Sequence, residues 1–166
     1  MMRIILTGGS GDLGRVIAKP IAHLNHEVVR LDIRVPQDSW GEYVNGSILD
    51  RNKLKDIFSG SDLVVHIAAW HGIHERKKSV FDFWDLNVTG TLNVFEICAQ
   101  VGVNKVIFIS STSVEDQGIY GRTKVLGEAI AEDYAARHGI NIINLRPRAF
   151  IPHWNRAVYE TFIEWA

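Results

Sequence analysis

The stretch "SSTSVEDQGIYGRTK" (110–124) combines hydroxyl side chains, a tyrosine and a lysine, which together could carry out proton transfer. A tyrosine phenol has a pKa near 10, so it needs a neighbouring positive charge to act as a base at neutral pH. Lys124 follows Tyr120 by four residues, and this spacing puts both side chains on one face of a helix. The pair could therefore deprotonate a substrate hydroxyl, or it could be an ordinary exposed pair at a helix start.

A second stretch, "TGGSGDLG" (7–14), has the composition of a phosphate-binding turn. Gly8, Gly11 and Gly14 recur at every third position between a predicted strand and a predicted helix. Glycine permits a tight turn there, and its missing side chain lets the backbone approach a pyrophosphate closely. The N-terminus of the helix that follows offers N–H groups to the phosphates. The pattern predicts a dinucleotide site.

Asp32 lies at the end of the second predicted strand, where a carboxylate can accept hydrogen bonds from the hydroxyls of a ribose. The same carboxylate would repel a 2′-phosphate, which favours NAD over NADP as the cofactor. Arg34 weakens this preference, because a guanidinium can pair with such a phosphate. The alternative for Asp32 is an ordinary solvated strand end.

The elements that must position these residues alternate between strands and helices, which predicts βαβ units around a parallel sheet. The predicted strands are "RIILTG", "EVVRLDI", "YVNGSI", "DLVVHIAA", "KVIFISS" and "INIINLRP". The predicted helices run from Asp12 to about Asn25, over "DRNKLKDIFS" with Asp50 as N-cap, from about Val80 to Val101, and from about Tyr120 to Arg137. The predicted fold class is α/β, a doubly wound parallel sheet (Rossmann fold) with helices on both faces.

Composition narrows the classes of protein that the chain can belong to. The 166 residues are 46% hydrophobic and carry a formal net charge of −1, without the basic surface that nucleic-acid binding requires. One cysteine cannot form an internal disulfide, and no apolar run has membrane-spanning length. His71 and His74 lack a third ligand at convincing spacing, so no metal site is expected. We predict a soluble cytoplasmic protein.

Taken in order, eight segments resemble the extended branch of the short-chain dehydrogenase/reductase superfamily, the NAD-dependent epimerase/dehydratase family. They are "TGGSGDLG" (7–14), Asp32, "GSI" (46–48), "HIAA" (66–69), "LNVTGTLNVFE" (86–96), "FISSTSV" (108–114), "YGRTK" (120–124) and "LRP" (145–147). The resemblance covers nearly the whole chain and implies NAD as cofactor and a sugar or nucleotide sugar as substrate.

The resemblance also implies a set of site residues. The implied cofactor-binding residues are Gly8, Gly11, Asp12, Leu13, Gly14, Asp32, Ser47, Ile48, Ile67, Ala68, Ala69, Asn87, Ser110, Tyr120 and Lys124. Ser47 stands where the family usually has an aspartate that touches adenine. Asn87 could instead be a buried asparagine that satisfies backbone groups, and His66 is expected to be a hydrogen-bonded core histidine. The implied catalytic residues are Tyr120, Lys124 and Thr112, with Ser111 as a less favoured substitute for Thr112.

In the implied mechanism, Tyr120 abstracts a hydroxyl proton while hydride passes to the nicotinamide. If hydride returns to the other face of the ketone, the enzyme is an epimerase. If the ketone undergoes elimination the enzyme is a dehydratase, and if the ketone is released it is a dehydrogenase. The spacing of the acidic residues after Thr112 favours an epimerase or a dehydrogenase. The alternative from another class is a non-catalytic dinucleotide-sensing module. The alternative substrates are a sugar acid and a steroid-like alcohol.

Two features depart from the family pattern. The segment between Thr112 and Tyr120 has seven residues (113–119), where family members have a longer substrate-covering loop. The chain also divides into an expected NAD-binding domain, 1–150, and the expected start of a truncated substrate-binding region, 151–166. A partner chain could supply the missing cover, and the resemblance suggests a homodimer through the helices that begin near Val80 and Tyr120.

Overall fold

The computed structural model of the protein describes residues 1–148. Six parallel strands form one sheet in the order β3-β2-β1-β4-β5-β6. The strands are β1 (Arg3–Thr7), β2 (Glu27–Asp32), β3 (Glu42–Asn45), β4 (Leu63–His66), β5 (Lys105–Ile109) and β6 (Asn141–Leu145). The strand order reverses between β1 and β4, and a ligand crevice opens at the carboxyl ends of strands at such a point. The predicted doubly wound parallel sheet is confirmed.

The helices lie close to their predicted positions. They are α1 (Asp12–His23), α2 (Arg51–Phe58), α3 (Val80–Phe83), α4 (Gly90–Val101) and α5 (Ile119–His138). The side chain of Asp50 accepts the N–H of Lys53 at 3.0 Å, which confirms it as the N-cap of α2. The single helix predicted from Val80 to Val101 is interrupted by a π-helical segment, Trp84–Thr89, between α3 and α4. Such segments often occur at functional sites, because they re-aim the side chains that they carry.

The sheet separates two apolar cores because successive strand residues point to opposite faces. Ile5 belongs to the larger core, which α2, α4 and α5 cover, and Ile4 and Leu6 belong to the smaller core beside α1. Two glycines let α5 approach the sheet. A side chain at Gly127 would meet the ring of Phe108 at 2.5 Å, and one at Gly121 would overlap the carbonyl oxygen of Ser113. These close approaches place the start of α5 against the end of β5.

Within residues 1–148, no helix is both long enough and apolar enough to cross a membrane. The segment 151–166, predicted to begin a substrate-binding region, lies outside the described residues.

Candidate functional site

The glycine-rich turn after β1 has the tight geometry that its sequence predicts. Gly8 has a φ of +67° and donates its N–H to the carbonyl of Leu31 at 2.8 Å. A Cβ on Gly8 would lie 2.8 Å from the backbone of Ala68, in the turn that follows β4. A Cβ on Gly14 would lie 2.5 Å from the carbonyl oxygen of Gly9, so this glycine lets α1 pack closely on the turn. Glycine is therefore required at position 8 by contact and by conformation, and at position 14 by contact.

The N-terminus of α1 follows this turn directly. Gly11 is its N-cap residue and has no side chain to accept the N–H groups of the first turn, which contains Asp12 and Leu13. The first N–H groups of an α-helix lie at the positive end of the helix dipole. The end of α1 can therefore bind a phosphate group.

Asp32 joins the end of β2 to the glycine-rich turn. One oxygen of its buried carboxylate accepts the N–H of Ser10 and the other accepts the N–H of Arg34, both at 2.9 Å. The exposed guanidinium of Arg34 lies beside it, with Nε 3.7 Å from Oδ1. Each carboxylate oxygen can accept a further hydrogen bond. Asp32 can therefore hold a ribose hydroxyl without releasing the turn.

A pocket of about 410 Å³ opens between the carboxyl ends of β1, β2 and β4. Among the residues that line it are six of the predicted cofactor-binding residues: Gly8, Asp32, Ser47, Ile48, Ala68 and Ala69. The side chain of Ile48 packs where Gly90 has no side chain, so the start of α4 shapes this pocket too. Trp70 and Asp85 also contribute to the lining. Sequence reasoning did not single out Asp85.

His66 is a core histidine, as predicted, and it supports the turn after β4. Its Nδ1 lies 2.8 Å from the hydroxyl of Thr7 and its Nε2 2.9 Å from that of Thr91. Thr91 donates to the carbonyl of Asn87 at 2.6 Å, which assigns the ring proton to Nε2 and makes Thr7 the donor to Nδ1. The Thr7 oxygen then accepts the N–H of Ile67 at 3.2 Å. Burial, and after it the charge of Lys124, lowers the pKa of His66 to about 3.

Asn87 lies in the π-helical segment and is fully engaged with protein groups. Its Oδ1 accepts the N–H of Trp70 at 2.7 Å, and its Nδ2 donates to the carbonyl of Trp70 at 2.9 Å and to Thr123 Oγ1 at 3.0 Å. Thr123 in turn donates to the carbonyl of Tyr120. Asn87 therefore satisfies backbone groups, which was the alternative reading. Through these hydrogen bonds Asn87 connects Trp70, which lines the pocket, to the start of α5.

Tyr120 and Lys124 share one face of α5, as their spacing predicts. Both are buried, and Lys124 Nζ lies 5.7 Å from the centre of the Tyr120 ring. Lys124 donates to the carbonyl of Ile109, at the end of β5, at 2.7 Å.

The electrostatics of this pair differ from the prediction. Burial raises the pKa of Tyr120 above its ordinary value, and burial lowers the pKa of Lys124 to about 7. The sequence predicted that the lysine would favour the phenolate. In the structure, withdrawal of both groups from water favours the neutral form of each.

The hydroxyl that affects the pKa of the Tyr120 phenol belongs to Ser111. Ser111 is buried, and its hydrogen bond to the phenol opposes the rise in the pKa of Tyr120. Thr112 is exposed and begins a 3₁₀ turn, Thr112–Glu115. Ser110 is buried beside Glu128. Thr112 stays a prediction from the sequence as the hydroxyl donor, and in the structure it is exposed whereas Ser111 is buried.

The segment after β4 covers Tyr120. The rings of His71 and Tyr120 have their centres 4.7 Å apart, and a Cβ on Gly72 would lie 3.6 Å from the tyrosine ring. Glu75 Oε1 accepts the N–H of Tyr120 at 3.0 Å. Sequence reasoning did not single out Glu75. No local pattern could reveal the contact, which joins residues 45 positions apart.

No group of three or more His, Cys, Asp or Glu residues in 1–148 is arranged to hold a metal ion.

The sequence of the chain matches a family model over residues 4–158, that of the NAD dependent epimerase/dehydratase family. The L-arabinose 1-dehydrogenase (NAD(P)(+)) of Haloferax volcanii is 30% identical over 174 residues, which are 88% of this chain and 66% of that protein. The UDP-glucose 4-epimerase of Streptomyces lividans is 25% identical over 178 residues, 93% of this chain and 52% of that protein. The chain spans about half the length of the curated relatives that it matches.

The fold is also similar to solved structures. The UDP-glucose 4-epimerase from Brucella ovis, solved in complex with NAD, superposes with a TM-score of 0.81 at 26% identity. The match covers 88% of this chain and 51% of that one.

Proposed function

Because the chain belongs to the NAD-dependent epimerase/dehydratase family, we propose that it binds NAD and oxidises a hydroxyl group of a sugar or nucleotide sugar. The main support for the proposal is that three segments meet around one pocket. The glycine turn after β1, Asp32 at the end of β2, and the turn after β4 meet where a dinucleotide binds in an open parallel sheet.

The residues present fit NAD on structural grounds. A side chain at Gly8 would fill the space beside Ala68, so the backbone is left open where a pyrophosphate approaches. Asp32 can accept from a ribose hydroxyl, and its buried charge disfavours a 2′-phosphate. Of the predicted set, Gly11, Asp12 and Leu13 hold the pyrophosphate, and Gly14 lets α1 pack on the turn that binds it. Ser47, Ile48, Ala68 and Ala69 line the adenosine side. Asn87 acts through Trp70, whereas Ile67 and Ser110 support the turn and the end of β5.

The residues that transfer the proton in this proposal lie at the end of β5 and at the start of α5. Tyr120 takes the proton of the substrate hydroxyl, Ser111 orients the oxygen of that hydroxyl, and the Lys124 ammonium stabilises the phenolate. NAD, when bound, supplies the hydride acceptor. A positive charge beside the Tyr120 phenol, such as the oxidised nicotinamide would supply, would oppose the effect of burial on the pKa of the phenol. Ser111 takes the role that the sequence assigned to Thr112.

The relatives support a sugar as the substrate class, since they are named as an arabinose dehydrogenase and a UDP-glucose epimerase. We favour an epimerase or a dehydrogenase, because the segment 113–119 carries no acid pair directly after the strand-five hydroxyl. We further propose a cytoplasmic homodimer. Exposed apolar side chains on α4 and α5, Leu92, Val125 and Leu126, support contact through these two helices.

Calorimetric titration with NAD and with NADP tests the cofactor. We expect NAD to bind more tightly, Asp32→Ala to weaken NAD more than NADP, and Arg34→Ala to weaken only NADP. Ala136→Ser, a change of an exposed residue near the end of α5, is the control and leaves both affinities unchanged. Binding of neither dinucleotide below millimolar concentration would show that the cofactor assignment is wrong.

A screen of nucleotide sugars, free sugars and sugar acids for absorbance of the reduced cofactor tests the reaction. Tyr120→Phe should retain NAD binding and remove most turnover, and Ser111→Ala should reduce turnover more than Thr112→Ala. An unchanged rate for Tyr120→Phe would exclude this tyrosine as the base.

A second candidate function is a non-catalytic dinucleotide-binding module. The observation that favours it is the cover over Tyr120, whose side chain is only 7% exposed beneath His71 and Gly72. Tight NAD binding without reduction by any compound of the screen would support the module over the enzyme.

A further inference from the structure

Glu128 pairs with Arg146 and shares helix α5 with Lys124. It follows Lys124 by one turn of α5, and its side chain is 9% exposed. Arg146 follows the end of β6 and binds the carboxylate with two parallel hydrogen bonds, from Nε to Oε1 at 2.8 Å and from Nη2 to Oε2. The Ser110 hydroxyl adjoins the same carboxylate. The four-residue spacing between Lys124 and Glu128 indicates that both lie on one face of the helix, but sequence reasoning did not single out Glu128.

The surroundings of Lys124 contain few groups that could stabilise a positive charge. The amine donates to the carbonyl of Ile109 and lies 5.0 Å from the centre of the Phe108 ring. The titratable groups around it are His66 from β4, His71 from the segment after β4, and Tyr120 and Glu128 from α5. Among residues 1–148, Glu128 is the acidic residue whose charge acts on this amine.

We propose that Glu128 is a positioning residue that keeps the Lys124 amine protonated at neutral pH, so that the Tyr120–Lys124 pair carries its positive charge when it works. The inference rests on the proposed function for the task of Lys124. Its geometry is independent of that function, because it involves only groups of the protein.

Two opposing effects on the Lys124 amine explain why the Glu128 carboxylate determines its protonation. Burial lowers the pKa of Lys124 to about 7, and attraction to Glu128 opposes that fall. An amine that titrates near neutrality changes its charge with a small change in its field. Glu128 itself stays ionised, since the hydrogen bond from Arg146 holds its pKa below the ordinary value against the effect of burial. Arg146 competes with Lys124 for the carboxylate and contributes no attraction to the amine.

NMR titration of the chain labelled with ¹³C at lysine Cε tests the proposal without any cofactor. Lys124→Met identifies the resonance by its loss. We expect Glu128→Gln to lower the pKa of Lys124 by about one unit or more. Arg146→Met removes the same ion pair but leaves the carboxylate in place, so it should not lower that pKa. Glu132→Gln, a change of an exposed glutamate on the same helix, serves as control and leaves it unchanged.

The two variants separate an electrostatic role from a structural one. A merely structural ion pair would be lost equally in both, and their urea unfolding curves report that loss. An unchanged pKa of Lys124 in Glu128→Gln, or an equal fall in Arg146→Met, would overturn the proposal. Failure of the chain to bind NAD would contradict the proposed function and leave this titration readable.

Discussion

Glu75 Oε1 accepts a hydrogen bond from the backbone N–H of Tyr120, with the two atoms 3.0 Å apart. The N-cap residue of α5, Gly118, has no side chain that could accept this N–H. A carboxylate from the segment after β4 therefore caps the helix that carries the proposed base. A negative charge at this end also interacts favourably with the helix dipole. The Glu75 side chain thus connects the segment that covers Tyr120 to the helix that carries Tyr120.

Removal of this cap should destabilise the protein. We expect Glu75→Ala to lower the free energy of unfolding by about 1 kcal/mol, as for loss of an N-cap, and Glu75→Gln to lower it less because the amide oxygen still accepts. Urea denaturation measures both. Arg76→Ala, a change of the exposed next residue, is the control. Equal stability of all three variants would contradict a capping role.

Stability should fall in mild acid because of His66. Its pKa in the folded protein is about 3, below the ordinary value of 6.5, so the unfolded chain takes up a proton there that the folded chain does not. As pH decreases from about 6.5, unfolding becomes easier by at most about 1.4 kcal/mol per pH unit.

Urea curves at several pH values between about 7.5 and 5 measure this slope. We expect His66→Gln to reduce it and His138→Gln, a change of an exposed histidine, to retain it. A slope of equal size in His66→Gln would assign the acid sensitivity to other groups.

The hydroxyl that contacts Tyr120 can be identified by titrating the phenol. We expect Ser111→Ala to raise the pKa of Tyr120 further, because the hydrogen bond that opposes burial is lost. Thr112→Ala should leave that pKa unchanged. Ultraviolet difference spectra against pH report phenolate formation, and Tyr120→Phe identifies its share among the four tyrosines. A shift in Thr112→Ala alone would restore the residue expected from the sequence.

The effect of the contact at Gly8 can be distinguished from the effect of its positive φ by comparison with Gly139, which has a similar φ. Gly8→Ala places a Cβ 2.8 Å from the backbone of Ala68 at a φ of +67°, whereas Gly139→Ala has a φ of +66° and nothing within 4 Å. We expect Gly139→Ala to lose only the conformational cost, about 1–2 kcal/mol. Gly8→Ala should lose more stability and also its affinity for NAD. Equal losses in both variants, measured by urea denaturation and calorimetry, would show that the contact with Ala68 is unimportant.

Local spacing accounts for the parts of the site that were predicted correctly. The face shared by Tyr120 and Lys124 follows from helical geometry, and the turn at Gly8 follows from glycine between a strand and a helix. Strand β2 shows where such reasoning ends. It carries Arg30, which is fully buried, donates to the carbonyl of Gly9 at 2.8 Å and pairs with Asp38. A charge in a strand suggests an exposed edge, and only the tertiary structure supplies the partners that bury it.

The sequence alone determined the order of strands and helices, the glycine-rich turn and the pairing of tyrosine with lysine, because these depend on residues within a few positions of one another. Tertiary structure decided that Ser111 is buried and Thr112 exposed, which carboxylate caps α5, and how burial shifts the pKa values of Tyr120 and Lys124. Those outcomes depend on the crossover connections, which bring the segment after β4 and the end of β6 against α5. Desolvation and hydrogen bonding act on the assembled site, and neither can be read from spacing along the chain.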